Sequence, residues 1–240
     1  MKTSSEGILI LEPVQVDEKE LIELPAFQRV AHTLRENIIN GTLRPQQPLQ
    51  EAELSAACGT SRNTLREALR SLHAEGLVVY HQHRGVSVRR MDRGDLRDIY
   101  RVRRHLELLA LDVGLPLNPF HRAKMASLIQ QAEQAEQDQS WRASGTLSLR
   151  FHQAVVCLLG SRRLNDFFAV IIAQLRLLFA SGAAERDFQQ PWLARDRELY
   201  QLLLTESHRE ARDYLASYLD HSEQLLLQMF IQPSYLQEYY

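Results

Sequence analysis

The chain has 240 residues, a formal net charge of −2, 45% hydrophobic residues and 24% charged residues. This composition excludes a disordered or fibrous chain and allows a packed core in one or two globular units. No uncharged apolar run reaches the length of a membrane span, and the N-terminus lacks a secretion signal. Cys58 and Cys157 have neither metal-type nor redox spacing. We therefore expect no disulfide framework, no membrane partner and a cytoplasmic location.

Positive charge is concentrated in one stretch of the chain. Residues 25–91 contain nine arginines and no lysine against five glutamates and no aspartate, a balance of +4. Residues 1–24 carry −4 and residues 92–240 carry −2. A basic module joined to an acidic one indicates that the first binds a polyanion. We predict an N-terminal arm at 1–24, a basic unit at 25–91 and a second unit at 92–240.

Apolar residues recur at helical spacing along most of the chain, which predicts a mainly α fold. In the basic unit the pattern predicts helices at 27–39, 51–57 and 61–75, and Ser61 can cap the third of these. Residues 77–88 have strand character on both sides of a polar tip. They predict a small hairpin, or wing, after the three helices.

The rest of the chain predicts an all-helical bundle of about six helices. These helices are expected at 95–113, 121–137, 143–158, 163–181, 189–205 and 208–231. Predicted breaks between helical segments fall at Pro116, Pro119, Gly145, Gly160 and Gly182. The helical stretch at 164–179 is apolar on nearly every side, so it must lie in the centre of the bundle or against a second subunit.

The third predicted helix has two chemically different sides. At 100° per residue its leucines share one side and its arginines share another. The arginines are Arg62, Arg66 and Arg70. A helix that packs by its leucines and exposes arginines is typical of the recognition helix of a helix-turn-helix unit, whose N-terminal end enters the major groove.

The chemistry of this helix leaves two interpretations. Arginine can bond guanine or phosphate, asparagine can pair with adenine, and serine or threonine can bind phosphate. Alternatively the arginines form a solvated helix face with Glu67 and Glu75. The combination of three helices with a basic wing favours DNA binding.

Residues 30–88 resemble the winged helix-turn-helix of the GntR family of bacterial transcription regulators, through LRENIINGTLRP, LQEAELSAACGTSRNTLREALRSLHAEGLV and HRGVSV. The resemblance implies binding to a double-stranded DNA operator. The DNA-contacting positions of the family fall on Ser61, Arg62, Asn63, Thr64, Arg66, His83, Arg84 and Gly85. One position departs from the family, because Ala52 stands where many members have arginine, so one base contact is missing. Because one such unit makes few base contacts, we expect a homodimer on a near-palindromic operator.

The segment DLRDIYRVRRHLELLAL resembles the opening of the FCD effector domain of one GntR subfamily. The likeness continues through FHQAV, RDRELYQLLL and ARDYLASYL. It implies a helical bundle that binds a small metabolite, often an organic acid, and that dimerises the protein.

Arg103 stands in an otherwise apolar seam of the first bundle helix. The other seam positions are Leu96, Ile99, Leu106, Ala110 and Val113. A buried cation needs an anion, and Glu107, one turn on, is the structural partner. The functional alternative is that Arg103 faces a cavity and binds the carboxylate or phosphate of a ligand.

Many members of the FCD subfamily hold a divalent metal with one aspartate and three histidines. Only His152 matches; the aspartate position is Ser148, and the two later histidine positions are Asp196 and Tyr218. His221, three residues after Tyr218, is a possible replacement ligand. Because the ligand set is incomplete, a metal is disfavoured and no cofactor is certain. We expect a metal-free polar pocket lined by Arg103, His152, Asp196, Tyr218 and His221, each of which has satisfied hydrogen bonding within the bundle as its alternative role.

The sequence therefore predicts a DNA-binding transcription regulator whose DNA affinity changes when a small metabolite binds the bundle. We expect this effector to be an organic acid, with a carboxylate as the group recognised. Two alternatives stay open: a metal-sensing regulator, and a metal-dependent hydrolase that uses His152 and Asp196. No Ser-His-Asp set, glycine-rich phosphate loop or His-Glu-x-x-His segment supports an enzyme, so we do not expect one.

Overall fold

The structure is a computed structural model that describes residues 11–12, 24–179, 185–205 and 207–230. The chain divides into two units, and the boundary lies between Arg90 and Met91. Of the predicted arm at 1–24, only Leu11, Glu12 and Leu24 are described, and the remainder lies outside the described residues.

Three helices form the core of the first unit. They are α1 (Ala26–Ile39), α2 (Glu51–Ala57) and α3 (Arg62–Ala74). The leucine side of α3 is completely buried, with Leu65, Leu69 and Leu72 each 0% exposed. Both α1 and α2 pack against α3. Burial of this apolar side holds α3 in place and leaves its arginine side at the surface.

A small antiparallel sheet completes the first unit. Strands β2 (Val78–His81) and β3 (Gly85–Val88) form the predicted wing hairpin. A two-residue strand, β1 (Pro48–Leu49), pairs with the other edge of β3, so the strand order is β1-β3-β2. The sequence did not predict β1, because two residues are too few to show the alternation of a strand.

Six helices form the second unit over its described residues, as predicted. They are α4 (Arg93–Gly114), α5 (Pro119–Gln137), α6 (Trp141–Cys157), α7 (Arg162–Phe179), α8 (Glu185–Leu204) and α9 (His208–Met229). Helix α6 packs against α4, α5, α7 and α8, and α9 packs against α4 and α8. The predicted helix ends at 181 and 231 lie outside the described residues. The mainly α fold class is confirmed.

Capping residues fix the starts of two bundle helices earlier than apolar periodicity predicts. The Asp92 carboxylate accepts from the backbone N–H of Asp95 at 2.9 Å, and the Asp95 carboxylate accepts from the Asp92 N–H at 3.0 Å. This reciprocal pair is a capping box at the start of α4. Asn118 caps α5, and Pro119 occupies its first turn. Such caps are polar, so an apolar pattern does not report them.

The predicted break at Gly145 is wrong, because this residue lies inside α6. A Cβ atom placed on Gly145 would lie 2.5 Å from Cδ of Gln189. The glycine therefore lets the amide of a neighbouring helix approach the α6 backbone.

The predicted inward seam of α4 is correct in its first half and wrong at its end. Leu96, Ile99, Arg103 and Ala110 are buried. Leu106 is only half-buried, Val113 is 61% exposed, and Glu107 is buried in the seam instead. A straight α-helix has 3.6 residues per turn, so a seam written at a 3.5-residue period drifts off the buried face.

The apolar helix α7 divides into two halves. From Phe168 onward most of its residues are buried within the bundle, whereas Phe167 is 48% exposed. Burial in the bundle therefore accounts for the second half of this helix. None of the helices in the described segments is long and apolar enough to cross a membrane.

Candidate functional site

Helix α3 presents the predicted DNA-contacting residues at its exposed N-terminal end. Ser61 is the N-cap, and its Oγ accepts from the Thr64 N–H at 3.1 Å and lies 2.9 Å from Thr64 Oγ1. Arg62 and Asn63 are exposed beside this cap, and Arg66 is exposed one turn further along. The hydroxyls therefore stabilise the helix start, while the longer side chains extend into solvent.

The two glutamates of the alternative interpretation, Glu67 and Glu75, form no ion pair with these arginines among the described residues. Arg35 of α1 binds Glu75 through two hydrogen bonds, Nε to Oε2 at 2.8 Å and Nη2 to Oε1 at 2.6 Å. Glu67 has no ion pair among the described residues. The Arg35 fork thus ties α1 to the C-terminal end of α3 and keeps Glu75 from the arginine face.

Two of the arginines on this face have no anionic partner in the described part of the chain. Arg66 Nε lies 2.9 Å from Glu51 Oε2 of α2 in an exposed ion pair, which contributes little stability. Arg62 and Arg70 have neither an ion pair nor a side-chain hydrogen bond to any described residue. We call Arg62, Arg66 and Arg70 the arginine face of α3.

The three predicted wing residues lie together at the tip between β2 and β3. His83, Arg84 and Gly85 are all exposed. His83 and Gly85 have positive φ angles of 62° and 82°, and the Arg84 N–H closes the turn on the His81 carbonyl at 3.1 Å. Glycine adopts this backbone conformation without strain.

A buried ionic network connects α4 to α6 in the second unit. Arg103 Nε donates to Glu107 Oε1 at 2.7 Å, and Glu107 Oε2 lies 2.6 Å from His152 Nδ1. Arg103 is 3% exposed, Glu107 is 0% exposed and His152 is 1% exposed. The predicted structural partner of Arg103 is therefore present, and the same carboxylate also binds a histidine from a second helix.

The network determines the protonation of its members. Burial alone would raise the pKa of Glu107, but the charges of Arg103 and His152 lower it below its usual range. Burial alone would lower the pKa of His152, but Glu107 raises it above its usual value. The carboxylate therefore stays ionised, and the imidazole is biased towards its charged form.

Arg103 also faces a cavity, as the functional alternative requires. The cavity measures about 20 Å³ and lies between α4, α6, α7, α8 and α9. His152, Ser148 and Tyr218 line it together with Arg103. Only Nε of Arg103 is hydrogen-bonded, so its two terminal amino groups have no hydrogen-bond partner among the described residues.

Three buried polar atoms near the cavity lack a hydrogen bond within the described residues. They are Nε2 of His152, Oδ1 of Asp196 and Nε2 of Gln189. The His152 and Asp196 atoms are 3.5 Å apart, which is too long for a good hydrogen bond. Buried polar groups normally have hydrogen-bond partners, so these atoms are the candidates for contacts to a bound molecule.

The remaining predicted pocket residues differ in position. Tyr218 packs between His152 and Trp192, with ring centroids 4.8 Å and 5.0 Å away respectively. Burial and the nearby Asp196 raise the pKa of Tyr218 well above its usual value, so its hydroxyl stays neutral. His221 is exposed and does not line the cavity, although its ring lies 5.8 Å from that of Trp192.

Sequence reasoning missed several cavity residues. Gln189 and Trp192 of α8 line the cavity, and Tyr100 of α4 is hydrogen-bonded to Ser222 of α9 at 2.7 Å between their hydroxyls. Gly145 was the only available signal, because a glycine inside a helical pattern indicates a close approach.

The residues at the family's metal-binding positions do not fit a metal ion. In the segments that the structure describes, no group of three or more His, Cys, Asp or Glu side chains could hold one. His152 and Asp196 supply one imidazole and one carboxylate, Tyr218 supplies only a neutral hydroxyl, and exposed His221 does not join them. Tight binding of zinc or nickel requires a more complete ligand set.

Comparison with known proteins decides the family. The model described as "Bacterial regulatory proteins, gntR family" matches residues 26–88. The FCD domain model matches residues 98–221, which is more than half of the chain. The chain belongs to the GntR family. This GntR-family protein is a DNA-binding transcriptional regulator with an FCD effector-binding domain, and not an enzyme.

Individual relatives agree with this assignment. A crystal structure of a GntR protein from Rhodococcus sp. RHA1 has 31% identity and a TM-score of 0.77, covering 84% of this chain and 97% of that one. "Uncharacterized HTH-type transcriptional regulator YdhC" of Bacillus subtilis (strain 168) is 24% identical over 205 residues, 82% of this chain and 89% of the relative. "Probable D-xylose utilization operon transcriptional repressor" of Paenarthrobacter nicotinovorans is 28% identical over 138 residues, 58% of this chain and 61% of the relative.

We predict that Glu107→Gln strongly destabilises the bundle of this GntR-family protein. The substitution keeps the side-chain shape but leaves Arg103 buried without its anion, which costs about 3–5 kcal/mol. Urea unfolding followed by circular dichroism measures the loss. Glu133→Gln is the control, because the Glu133–Arg197 pair is exposed and its loss costs about 0–1 kcal/mol. Equal losses for the two variants would contradict a structural role for the network.

Proposed function

We propose that this regulator binds a near-palindromic operator as a homodimer and changes its DNA affinity when a small organic acid binds in the bundle. Residues 25–91 form the DNA-binding domain, and residues 92–240 bind the effector and dimerise. The observation that carries the effector part of the proposal is the position of Arg103. Its guanidinium is buried and faces the cavity, and within the described segments only Nε of its three nitrogens is hydrogen-bonded.

The arginine face of α3 supports operator recognition. Arg62 is exposed, has no anionic partner among the described residues and lies beside Asn63 at the helix N-terminal end. In a winged helix-turn-helix this end enters the major groove, where an arginine fork bonds O6 and N7 of guanine. Ser61 and Thr64 lie at the same end for phosphate contacts, and the wing tip contacts the backbone or minor groove.

We expect Arg62→Ala to weaken operator binding by about 1–3 kcal/mol, because a bidentate contact to guanine is lost. Fluorescence anisotropy at fixed salt measures Kd for a duplex selected by the wild-type protein and for an unrelated duplex of equal length. Discrimination between the two duplexes should fall. Arg44→Ala is the control, since it removes one exposed arginine from outside α3 and the wing. Unchanged discrimination in Arg62→Ala would rule out a base contact.

The cavity supports a mechanism in which ligand binding requires the bundle to open. About 20 Å³ is room for little more than a water molecule. An organic acid therefore binds only when the lining helices move apart, and it stabilises that opened state. A ligand that prefers one of two conformations shifts their populations, which changes the DNA affinity of the regulator. In the opened cavity Arg103 bonds the carboxylate, and His152 Nε2 and Asp196 Oδ1, which have no hydrogen bond among the described residues, bond the rest of the ligand.

We expect Arg103→Lys to abolish the effector response while keeping the fold. Lysine retains the positive charge beside Glu107 but lacks the planar fork that binds a carboxylate. In a thermal-shift screen of small organic acids, an acid that raises the Tm of the wild type should not raise that of the variant. DNA affinity without the acid should be unchanged. An undiminished Tm shift in Arg103→Lys would show that the acid binds elsewhere.

An apolar stripe on α4 that is half-buried at Val102 and Leu106 and exposed at Leu109 and Val113 supports the homodimer. Val102, Leu106, Leu109 and Val113 recur every three or four residues, so they share one side of the helix. Leu109 is 45% exposed and Val113 is 61% exposed. Helix α7, which packs on α4, exposes Phe167 as well. A second copy of the chain is the occupant we propose, because two winged units are needed for a near-palindromic operator.

We predict that Val113→Asp converts the dimer to a monomer and weakens operator binding. A carboxylate in an apolar interface loses its hydration without gaining a partner. Light scattering coupled to size-exclusion chromatography measures the molar mass. Gln130→Asp, on the exposed side of α5, is the control and should leave the dimer intact. A dimer that persists in Val113→Asp would place the interface on another surface.

A further inference from the structure

Tyr80 of β2 is an exposed aromatic residue outside the DNA-contacting positions that the family resemblance implies. It is 43% exposed, whereas most large apolar side chains of the first unit are buried. Its ring meets the ring of His73 edge-on, with centroids 5.2 Å apart and an interplanar angle of 85°. Tyr80 therefore packs against α3 from the side of the wing.

His73 places this contact on the arginine face of α3. At about 100° per residue, His73 lies about 20° around the helix from Arg62 and about 60° from Arg70. Nδ1 of His73 lies 3.0 Å from the Val78 carbonyl oxygen, which fixes its ring between the helix and β2. The arginine face of α3 therefore adjoins His73, and His73 in turn contacts Tyr80 of the wing.

The phenol lies in a positively charged surrounding. Its hydroxyl interacts electrostatically with Arg70 and Arg66 of α3, and with Glu51 of α2. Glu51 already binds Arg66, whereas Arg70 has no ion pair or side-chain hydrogen bond among the described residues. Arg70 lies one helical turn before His73, the residue that the Tyr80 ring contacts, so a guanidinium without an ion pair among the described residues and a tyrosine hydroxyl offer hydrogen-bond donors on the same side of α3.

The hydroxyl keeps its proton under ordinary conditions. Partial burial raises the pKa of Tyr80, with Arg70 acting in the opposite direction. The group is therefore available as a donor to a phosphate oxygen. Tyrosine is among the side chains that contact phosphates in protein–DNA complexes.

The position of β2 identifies the part of DNA that Tyr80 would meet. The strand leads from the C-terminal end of α3 to the wing tip at His83. When the start of α3 lies in the major groove and the wing tip reaches the adjacent minor groove, a sugar-phosphate strand separates the two contacts. Residues on the surface between α3 and the wing face that strand.

We propose that Tyr80 and Arg70 together bind one backbone phosphate of the DNA. This contact is independent of base sequence and fixes the depth and orientation of α3 in the major groove. It rests on the proposed binding of DNA through α3, and it adds two residues to the interface. The competing explanation is that Tyr80 only covers the ring of His73, a role that phenylalanine would fulfil equally well.

Tyr80→Phe separates these explanations, because it keeps the ring contact with His73 and removes only the hydroxyl. We expect Kd to rise about two- to tenfold, the range that the loss of one hydrogen bond gives. The factor should be the same for a duplex selected by the wild-type protein and for an unrelated duplex, since both contain the phosphate. Arg70→Gln should reduce the slope of log Kd against log salt concentration by about 1.

Tyr214→Phe is the matched control. It removes a phenol hydroxyl that bonds Glu198 Oε2 at 2.7 Å in the bundle, so DNA binding should be unchanged. Circular dichroism and Tm establish that each variant folds as the wild type does.

The possible outcomes distinguish the contact from the proposed function. If Tyr80→Phe leaves both Kd values unchanged while Arg62→Ala weakens operator binding, the phosphate contact is refuted and operator recognition by α3 stands. A loss confined to the selected duplex would make Tyr80 a base contact and would overturn the phosphate assignment. If neither Tyr80→Phe nor Arg62→Ala changes DNA binding, the arginine face itself is not the DNA surface.

Discussion

The buried carboxylate of Glu107 connects two helices of the second unit of this protein. Glu107 is fully buried, and its two oxygens bind Arg103 of its own helix and His152 of α6. The desolvation of three ionisable groups is unfavourable, and only the mutual attraction and hydrogen bonding of all three compensate for it. The network therefore fixes the orientation of the two cationic side chains at the wall of the cavity.

The same arrangement explains the chemistry of the cavity. Because Glu107 uses Nε of Arg103 and Nδ1 of His152, the remaining nitrogens of both residues are directed elsewhere. Asp196 lies on the other side of the His152 ring, with its Oδ1 3.5 Å from His152 Nε2, and neither of these two atoms has a hydrogen bond among the described residues. The positions at which the FCD subfamily holds a metal thus form an ionic and polar cluster with too few ligands for a metal.

In the first unit, by contrast, the arginines of α3 are exposed rather than buried in an ionic network. Its leucines are buried. Arg35 of α1 binds Glu75 at the C-terminal end of α3, so this carboxylate does not pair with the arginine face. This leaves Arg62 and Arg70 without internal partners among the described residues. A surface of exposed arginines next to a wing favours a polyanion as its partner, in agreement with the family to which the chain belongs.

The sequence by itself determined the class of fold, the number of bundle helices and the two sides of α3. These features follow from local periodicity, because the buried side of a helix is marked by apolar residues three and four positions apart. It also determined which side chains were candidates for the pocket, through family motifs.

Only the tertiary structure decided which of those candidates meet. His152 and Asp196 come together although 44 positions separate them in the chain, whereas His221, close to Tyr218 in sequence, remains at the surface. Likewise Gln189 of another helix fills the space that Gly145 leaves on α6, and β1 pairs with the edge of β3 that β2 leaves open. Contacts of this kind depend on how helices and strands pack across long sequence separations, and local residue patterns do not contain that information.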